Sequence, residues 1–529
     1  MDAKNITVTD LTPPALESPP PGNTLWDAVA AVLVVGFLAV GTWSSYWAEQ
    51  RNDQYQLIAL GQCVYDGGKL YVDCWENKPP GVAWLNALGL VLSPGGQLGV
   101  WVLPAAIALL CIIPLWYAVG RLLSPAAARG TAVLASFLAT LRLYDAPSIN
   151  PDFYCAMFEL AACAFWLCAV SASFAGRRFL FGILAGLLWS AAACVKQTGG
   201  AGLVAITIVT LVLLVIRNFH GRRWLVSALF AWLGFALGLA LVIVLLARQG
   251  TDRSAWDAIV TFNRGFATWD AWVRSLQSWP RLHGGLEPLQ LPLWLSLVGI
   301  VVTVSTGSAN RVARASLAAL VLWWIVAADL ALMGPSLSMR YWQATFPPMI
   351  LLAAMGLFHL EEVYRRLDKG YRAAWVLVAL TAAVILGRPL LEHYRLGLAS
   401  SRVAYDQEPA QRERLAVIGS QVRTLVPEGE RIYVWAYDAG VYVHAGRRPA
   451  SRFTYPRSPE QMNEILSELS AGKAYALLAP ERPAPEFESW CDDACHEGLA
   501  RVLENYEPAP SIGPYRVWVL KRAEQASPP

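Results

Sequence analysis

The sequence predicts an α-helical polytopic membrane protein of about eleven transmembrane helices, followed by a small C-terminal α/β soluble domain. Three observations carry that reading. Apolar runs of about 17–23 residues recur between residues 25 and 390, and a bilayer core about 30 Å thick needs roughly 20 such residues per helix. Charge is scarce: only 15% of the 529 residues are Asp, Glu, Lys or Arg, while 56% are hydrophobic, against about a quarter charged in a water-soluble domain. From residue 391 the chain changes to ordinary charge, short β-branched runs and turn residues, as a separate globular domain has.

The spans fall at 26–44, 98–120, 129–143, 152–173, 179–195, 199–216, 225–247, 291–307, 315–334, 343–360 and 373–388. The apolar stretch Gly81–Leu92 is too short to cross and reads as a helix lying at the membrane interface. Residues 1–24 are Pro-rich with Lys4 as their only basic residue; they lack the basic region of a signal peptide and read as a short disordered cytoplasmic tail. The 23 Trp and 19 Tyr suit interfacial belts. The net charge of +3 says little in itself, because charge in a membrane protein matters by location, and no nucleic-acid partner is expected.

Location is informative. With the N-terminus in the cytoplasm, the cytoplasmic turns hold Arg121 and Arg129; Arg177 and Arg178; Arg217, Arg222 and Arg223; Arg311 and Arg314; and Arg365, Arg366, Lys369 and Arg372. Only Glu361, Glu362 and Asp368 oppose them. The outer loops collect acids, among them Asp53, Asp66, Asp73, Glu76, Asp145 and Asp152. The positive-inside rule therefore sets one orientation for a multi-pass protein of the cell inner (plasma) membrane, with residues 391–529 extracytoplasmic. Two outer loops are long, 45–97 and 248–290, and loops of such length without disordered composition are usually functional. The second carries Trp256, Trp269, Trp272 and Trp279, which read as interfacial packing before a sugar platform.

The outer domain alternates a helix near 409–425, a strand at Arg431–Ala436, a helix near 459–470, a strand at Ala474–Ala479, a helix near 493–505 and a strand at Tyr515–Leu520. No catalytic motif stands in it. Cys111, Cys155, Cys163, Cys168 and Cys194 sit in spans as small apolar residues. Cys63, Cys74, Cys491 and Cys495 lie outside, where disulfides persist. Cys63 with Cys74 can close one loop; Cys491 and Cys495 can pair or, with His496, hold a metal.

The chemistry-bearing residues come in a fixed order. Asp53 follows the first span by about ten residues, in Asn52-Asp53-Gln54-Tyr55. Lys78-Pro79-Pro80 opens the interfacial helix, where Pro is tolerated in a first turn. Asp152, after Asn150-Pro151, starts the fourth span. Lys196 ends the fifth, with Gly199-Gly200 beyond it, and Arg340-Tyr341 precedes a span beginning near Pro347-Pro348. This ordered set resembles the GT-C membrane glycosyltransferases, specifically family 39 and its bacterial relatives, which include protein O-mannosyltransferases and the lipid A aminoarabinose transferase. The resemblance covers about residues 26–360. It implies transfer of a sugar from a polyprenyl-phosphate donor to a lipid, glycan or protein acceptor on the outer face. Two positions depart from the relatives: Gln54 stands where many carry a second acid, and Asn77 stands directly before Lys78 where the aminoarabinose transferases have Glu.

Physical chemistry fits the same residues to roles. Attack at an anomeric carbon releases a lipid phosphate, a good leaving group needing no general acid. The enzyme must take the acceptor proton, which a positioned carboxylate does, and hold the departing charge, which Lys and Arg do well near a low-dielectric interface. Asp53 is the expected general base; Lys78, Lys196 and Arg340 are the expected phosphate ligands; Asp152 is expected to orient the acceptor or a cation. No Asp-x-Asp pair stands at the first acid, so no cofactor is required, although a divalent cation is compatible with the residues. Blander roles exist for each: Asp152 as the cap of a span, Lys78 as a snorkelling cation, Tyr55 and Tyr341 as belt aromatics or substrate contacts, and Glu76, Asp66 and Asp73 as solvated acids. The alternative function is a membrane transporter or lipid-linked sugar flippase. That class places ionisable groups mid-span, and here only Glu159 and Asp329 are such acids.

Overall fold

The computed structural model describes residues 24–48, 52–94, 96–215, 221–265, 273, 286–305, 311–332, 339–481, 491 and 493–521. The expected tail, up to residue 23, and the loop tryptophans Trp269, Trp272 and Trp279 lie outside the described residues. The membrane part is a helical bundle: α1 (Thr24–Ala48), α2 (Asn52–Tyr65), α3 (Gly81–Leu92), α4 (Leu98–Leu122), α5 (Pro125–Leu138), α6 (Pro151–Ser171), α7 (Ala175–Val195), α8 (Ala201–Val215), α9 (Gly221–Gln249), α10 (Gln290–Ser305), α11 (Arg311–Leu332), α12 (Phe346–Arg366) and α13 (Lys369–Leu425). Among the described residues, nine helices are long and apolar enough to cross a membrane. The chain is a multi-pass helical membrane protein.

Two of the expected spans are shorter helices. α5 has 14 residues and α8 has 15, which at about 1.5 Å per residue is near 22 Å, short of a roughly 30 Å core. α5 stops where the chain turns through Arg142–Tyr144 into Asp145, whose φ of 54° is left-handed; Asp is one of the few residues that tolerates this. The mostly apolar run from Ala132 to Leu141 carries the expected span past the end of the helix.

α6 is the axis of the bundle. Of its apolar window 83% is buried, against 11% for the spanning part of α13, which faces lipid. α6 packs on α4 and α7, and α7 on α9. Close approach relies on small residues, as in other membrane bundles. Gly81 shows the consequence for the site: a Cβ there would lie 2.6 Å from the Cys194 carbonyl oxygen, so α3 starts directly against the end of α7. α3 also packs on α2, where Asn86 Nδ2 donates to the Leu57 carbonyl at 3.1 Å.

The expected separate helices at 373–388 and 409–425 are one helix of 57 residues, α13. The fall in hydrophobicity near residue 400 marks the change of surroundings, lipid to water, and not a break in the backbone. Pro389 does not end it, because membrane helices accommodate Pro. The soluble part then forms one sheet in the order β1-β2-β4-β3, from β1 (Ile432–Val434), β2 (Ala476–Pro480), β3 (Tyr506–Ile512) and β4 (Tyr515–Leu520). β1 and β2 run parallel; β4 is antiparallel to both β2 and β3. β3 is not among the expected elements, and it carries Pro508 and Pro510. It sits at the sheet edge, where Pro is tolerated.

Cys63–Cys74 and Cys491–Cys495 are disulfides, so the metal alternative for Cys491 and Cys495 is replaced by a covalent bond. Among the described residues no group of three His, Cys, Asp or Glu stands where it could hold a metal.

Candidate active site

Asp53 occupies the first turn of α2, where a carboxylate suits the positive end of the helix dipole. Its Oδ2 accepts from Arg340 Nη1 at 2.9 Å, and its Oδ1 accepts from the Tyr437 hydroxyl. Arg340 lies on the 3-10 turn Met339–Thr345 that leads into α12. The next residue, Tyr341, is shared by two cations: the Arg340 guanidinium is 5.6 Å and the Lys196 Nζ 4.6 Å from its ring centroid. Lys196 follows the last residue of α7 and pairs with Asp152 in the first turn of α6. Residues from four distant parts of the chain thus form one line: Asp152, Lys196, Tyr341, Arg340, Asp53.

A second group adjoins it. Lys78 Nζ donates to Glu76 Oε1 at 2.9 Å, and Arg457 Nη1 stands 3.8 Å from the same oxygen. Gln56 Nε2 reaches Glu76 Oε2 at 3.5 Å, and Gln56 Oε1 accepts from Tyr437 at 3.2 Å. The Asn77 carbonyl accepts from Gln197 Nε2 at 2.7 Å and from Asn263 Nδ2 at 2.6 Å, and its side-chain Oδ1 accepts from Arg457 at 2.9 Å. Gln197 neighbours Lys196, so the polar network closes on itself. Trp75 wedges the loop between Phe262, 4.9 Å away between ring centroids, and Phe453, at 5.3 Å.

Glu76 corrects the sequence reading. It is 2% exposed, not solvated, and it is the anion on which Lys78 and the soluble domain's Arg457 meet. Burial pushes its carboxyl up, but Lys78 and Arg457 outweigh that and hold it below the ordinary glutamate range. Asp53 follows the same logic: burial raises it, and the Tyr437 hydrogen bond with the charges of Arg340 and Lys78 brings it below the usual aspartate range. Lys78 is therefore electrostatically coupled to Asp53 as well as paired with Glu76. Tyr341 stands among the charged residues. Tyr55 does not: it is buried with its hydroxyl 3.2 Å from His444 Nε2, and it packs the soluble domain onto α2. Glu159, the acid inside α6, accepts from the Gly200 backbone N–H at 3.0 Å. It caps the start of α8 and braces the turn that carries Lys196.

The site residues that sequence reasoning passed over are Gln56, Glu76, Asn263, Tyr437 and Arg457. A signal existed for Gln56, three residues after Asp53 and hence on the same helix face. None existed for Tyr437 or Arg457, which arrive from the soluble domain.

A polytopic helical bundle in which one end gathers paired cations and acids beside an α/β domain is the class of molecule defined here. Comparison with known proteins makes the fold more specific. The family model described as dolichyl-phosphate-mannose-protein mannosyltransferase matches residues 77–247, which include Lys78, Asp152 and Lys196. The structure of ArnT from Cupriavidus metallidurans in the apo state superposes with a TM-score of 0.54 at 17% identity, over 96% of this chain and 99% of that one. The same protein bound to undecaprenyl phosphate gives 0.53 at 16% identity, over 96% and 99%. The apo Archaeoglobus fulgidus oligosaccharyltransferase gives 0.50 at 13% identity, over 95% of this chain and 74% of that one. Comparison with curated protein sequences gave no match. The chain has the fold of the GT-C membrane glycosyltransferases.

Proposed function

We propose that the chain is a membrane glycosyltransferase. It takes a sugar from a polyprenyl-phosphate-linked donor and passes it to a lipid, glycan or protein acceptor at the outer face of the inner membrane. In this reading residues 25–390 are the catalytic membrane domain, and residues 391–529 are an extracytoplasmic domain that covers the site. Asp53 takes the proton of the acceptor hydroxyl. The acceptor oxygen bonds to the anomeric carbon, and the bond from that carbon to the phosphate oxygen breaks, its electron pair leaving with the phosphate. Inversion at the carbon follows from a single displacement. Arg340, Lys196 and Lys78 receive the phosphate charge, exchanging their resting partners Asp53, Asp152 and Glu76 for it.

The observation that carries the reading is Arg340 bound to Asp53 while sharing the Tyr341 ring with Lys196. A base and two anion-binding groups stand within one or two side chains of each other at the outer helix ends. The likeness to a protein whose structure holds undecaprenyl phosphate, and to a family described by dolichyl-phosphate mannose, supports the donor class. Of the two acids inside the spans, Glu159 is committed to a backbone donor at the start of α8, which speaks against its serving a carrier pathway.

Two measurements test this. Purified protein given undecaprenyl-phosphate mannose, and then other undecaprenyl-phosphate sugars, should release undecaprenyl phosphate detectable by mass spectrometry. Lipids and glycans from cells with and without the gene should differ by one sugar. Turnover of no such donor, together with identical lipid and glycan profiles, refutes the reading.

A further inference from the structure

Asp53 has two carboxylate oxygens, and both are engaged. Oδ2 faces Arg340 at 2.9 Å and Oδ1 holds the Tyr437 hydroxyl. That hydroxyl also stands 3.2 Å from Gln56 Oε1, so one hydroxyl oxygen sits between a carboxylate and an amide carbonyl. Tyr437 follows β1 in the soluble domain, and its ring leans on Tyr455 with centroids 4.4 Å apart. The base is therefore met by a hydroxyl delivered from outside the membrane domain, on the oxygen that Arg340 leaves open. While Arg340 holds Oδ2, Oδ1 is the oxygen left for an arriving acceptor hydroxyl.

Building on the transferase reading, we propose that the Tyr437 hydroxyl occupies the acceptor-hydroxyl position and is displaced when an acceptor binds. Until then it keeps water off Oδ1. The Asp53 side chain is 42% exposed with Tyr437 in place, so Tyr437 shields the one oxygen it bonds, Oδ1, and not the side chain as a whole. Water in that position would give its proton to Asp53 and take the sugar, releasing free sugar and lipid phosphate. Burial and the Asp53 charge hold the Tyr437 phenol above the ordinary tyrosine range, so it stays a donor to Asp53. The role is specific to the hydroxyl. The ring alone packs on Tyr455.

Tyr437→Phe removes the hydroxyl and keeps the ring. The first readout is independent of turnover: carboxyl labelling with a water-soluble carbodiimide and an amine, mapped by peptide mass spectrometry, with the exposed Asp66 as internal standard. Asp53 labelling should rise about tenfold in the variant, the scale of one lost charge-assisted hydrogen bond. The second readout is hydrolysis of undecaprenyl-phosphate mannose to free mannose without added acceptor, which should rise by about the same factor. Unchanged Asp53 labelling overturns the proposal. So does slower hydrolysis in the variant, the result expected if Tyr437 merely orients Asp53. If labelling rises but wild type neither transfers nor hydrolyses any polyprenyl-phosphate sugar, the transferase reading fails and takes the acceptor assignment with it, while the cover over Asp53 stands.

Discussion

Replacing Asp53 by Asn should move two quantities in opposite directions. Asn keeps the size of the side chain and an oxygen for the Tyr437 hydroxyl, but it cannot take a proton. Transfer should fall by about 10²–10⁴, the scale of general-base removal. Donor binding should not fall with it, because Arg340 loses its resting counter-ion. The gain is small. The Arg340–Asp53 contact is 2.9 Å long, but the two side chains are 21% and 42% exposed, and ion pairs this open are worth about 0.2–1 kcal/mol. Freed from that competition, Arg340 should bind lipid phosphate at most about fivefold more tightly. The assay pairs single-turnover transfer with titration of undecaprenyl phosphate by native mass spectrometry, using Asp66→Asn as an exposed-acid control. Near-normal transfer by Asp53→Asn would remove Asp53 from the mechanism and move the role to Asp152. Weaker phosphate binding in the same variant would refute the competition for Arg340.

Neutralising Lys78, Lys196 or Arg340 one at a time should each weaken undecaprenyl-phosphate binding by about tenfold, because each removes a charge-assisted contact; three normal isotherms would dissolve the phosphate pocket. The pH profile should carry the sign of the Asp53 shift. Its carboxyl is held below the ordinary aspartate range in the free protein, so kcat/KM should lose its base only as pH falls through that low value. In the donor complex the phosphate takes up Arg340, so the acid limb of kcat should lie at higher pH than that of kcat/KM; coincident limbs would contradict this. Glu76→Gln removes the buried anion that Lys78 and Arg457 share and should lower the melting temperature at neutral pH. Glu76 has a depressed carboxyl, so its stabilisation is present above the unfolded glutamate value and is lost as pH falls through the folded one. The gap between variant and wild type should therefore close in acid, and a gap constant with pH would show that charge is not its cause. Alkaline phosphatase and fluorescent-protein fusions after Gly370 and after Gln525 should report opposite sides of the membrane, as the basic turns require; the same side for both would reverse the span count.

Much of this molecule was legible in local sequence. Membrane helices are determined segment by segment, because a run of apolar residues must satisfy its own backbone in lipid wherever its neighbours lie. The expected sidedness is equally local, since each turn shows its own Arg and Lys content. The charged residues stood out for the same reason: Asp53, Lys78, Asp152, Lys196 and Arg340 are costly near hydrocarbon, and their placement at helix ends was visible without a partner in view.

Their partners were not visible, because pairing is decided by packing between segments that sequence distance does not constrain. Asp53 meets Arg340 across 287 positions and Tyr437 across 384. Glu76 looked like any loop acid until the Arg457 side and the Lys78 side closed over it, and Tyr55 read as a belt aromatic or a substrate contact until His444 was brought against it. The same holds for the backbone at two places. α13 runs on past the loss of hydrophobicity because helix continuity does not depend on the solvent, and β3 tolerates its prolines because only the sheet order places it at an edge. Sequence by itself determined what each segment must avoid, whether water or lipid. The tertiary structure alone decided which charges face each other, since that energy belongs to pairs of residues and neither member carries it in its own neighbourhood.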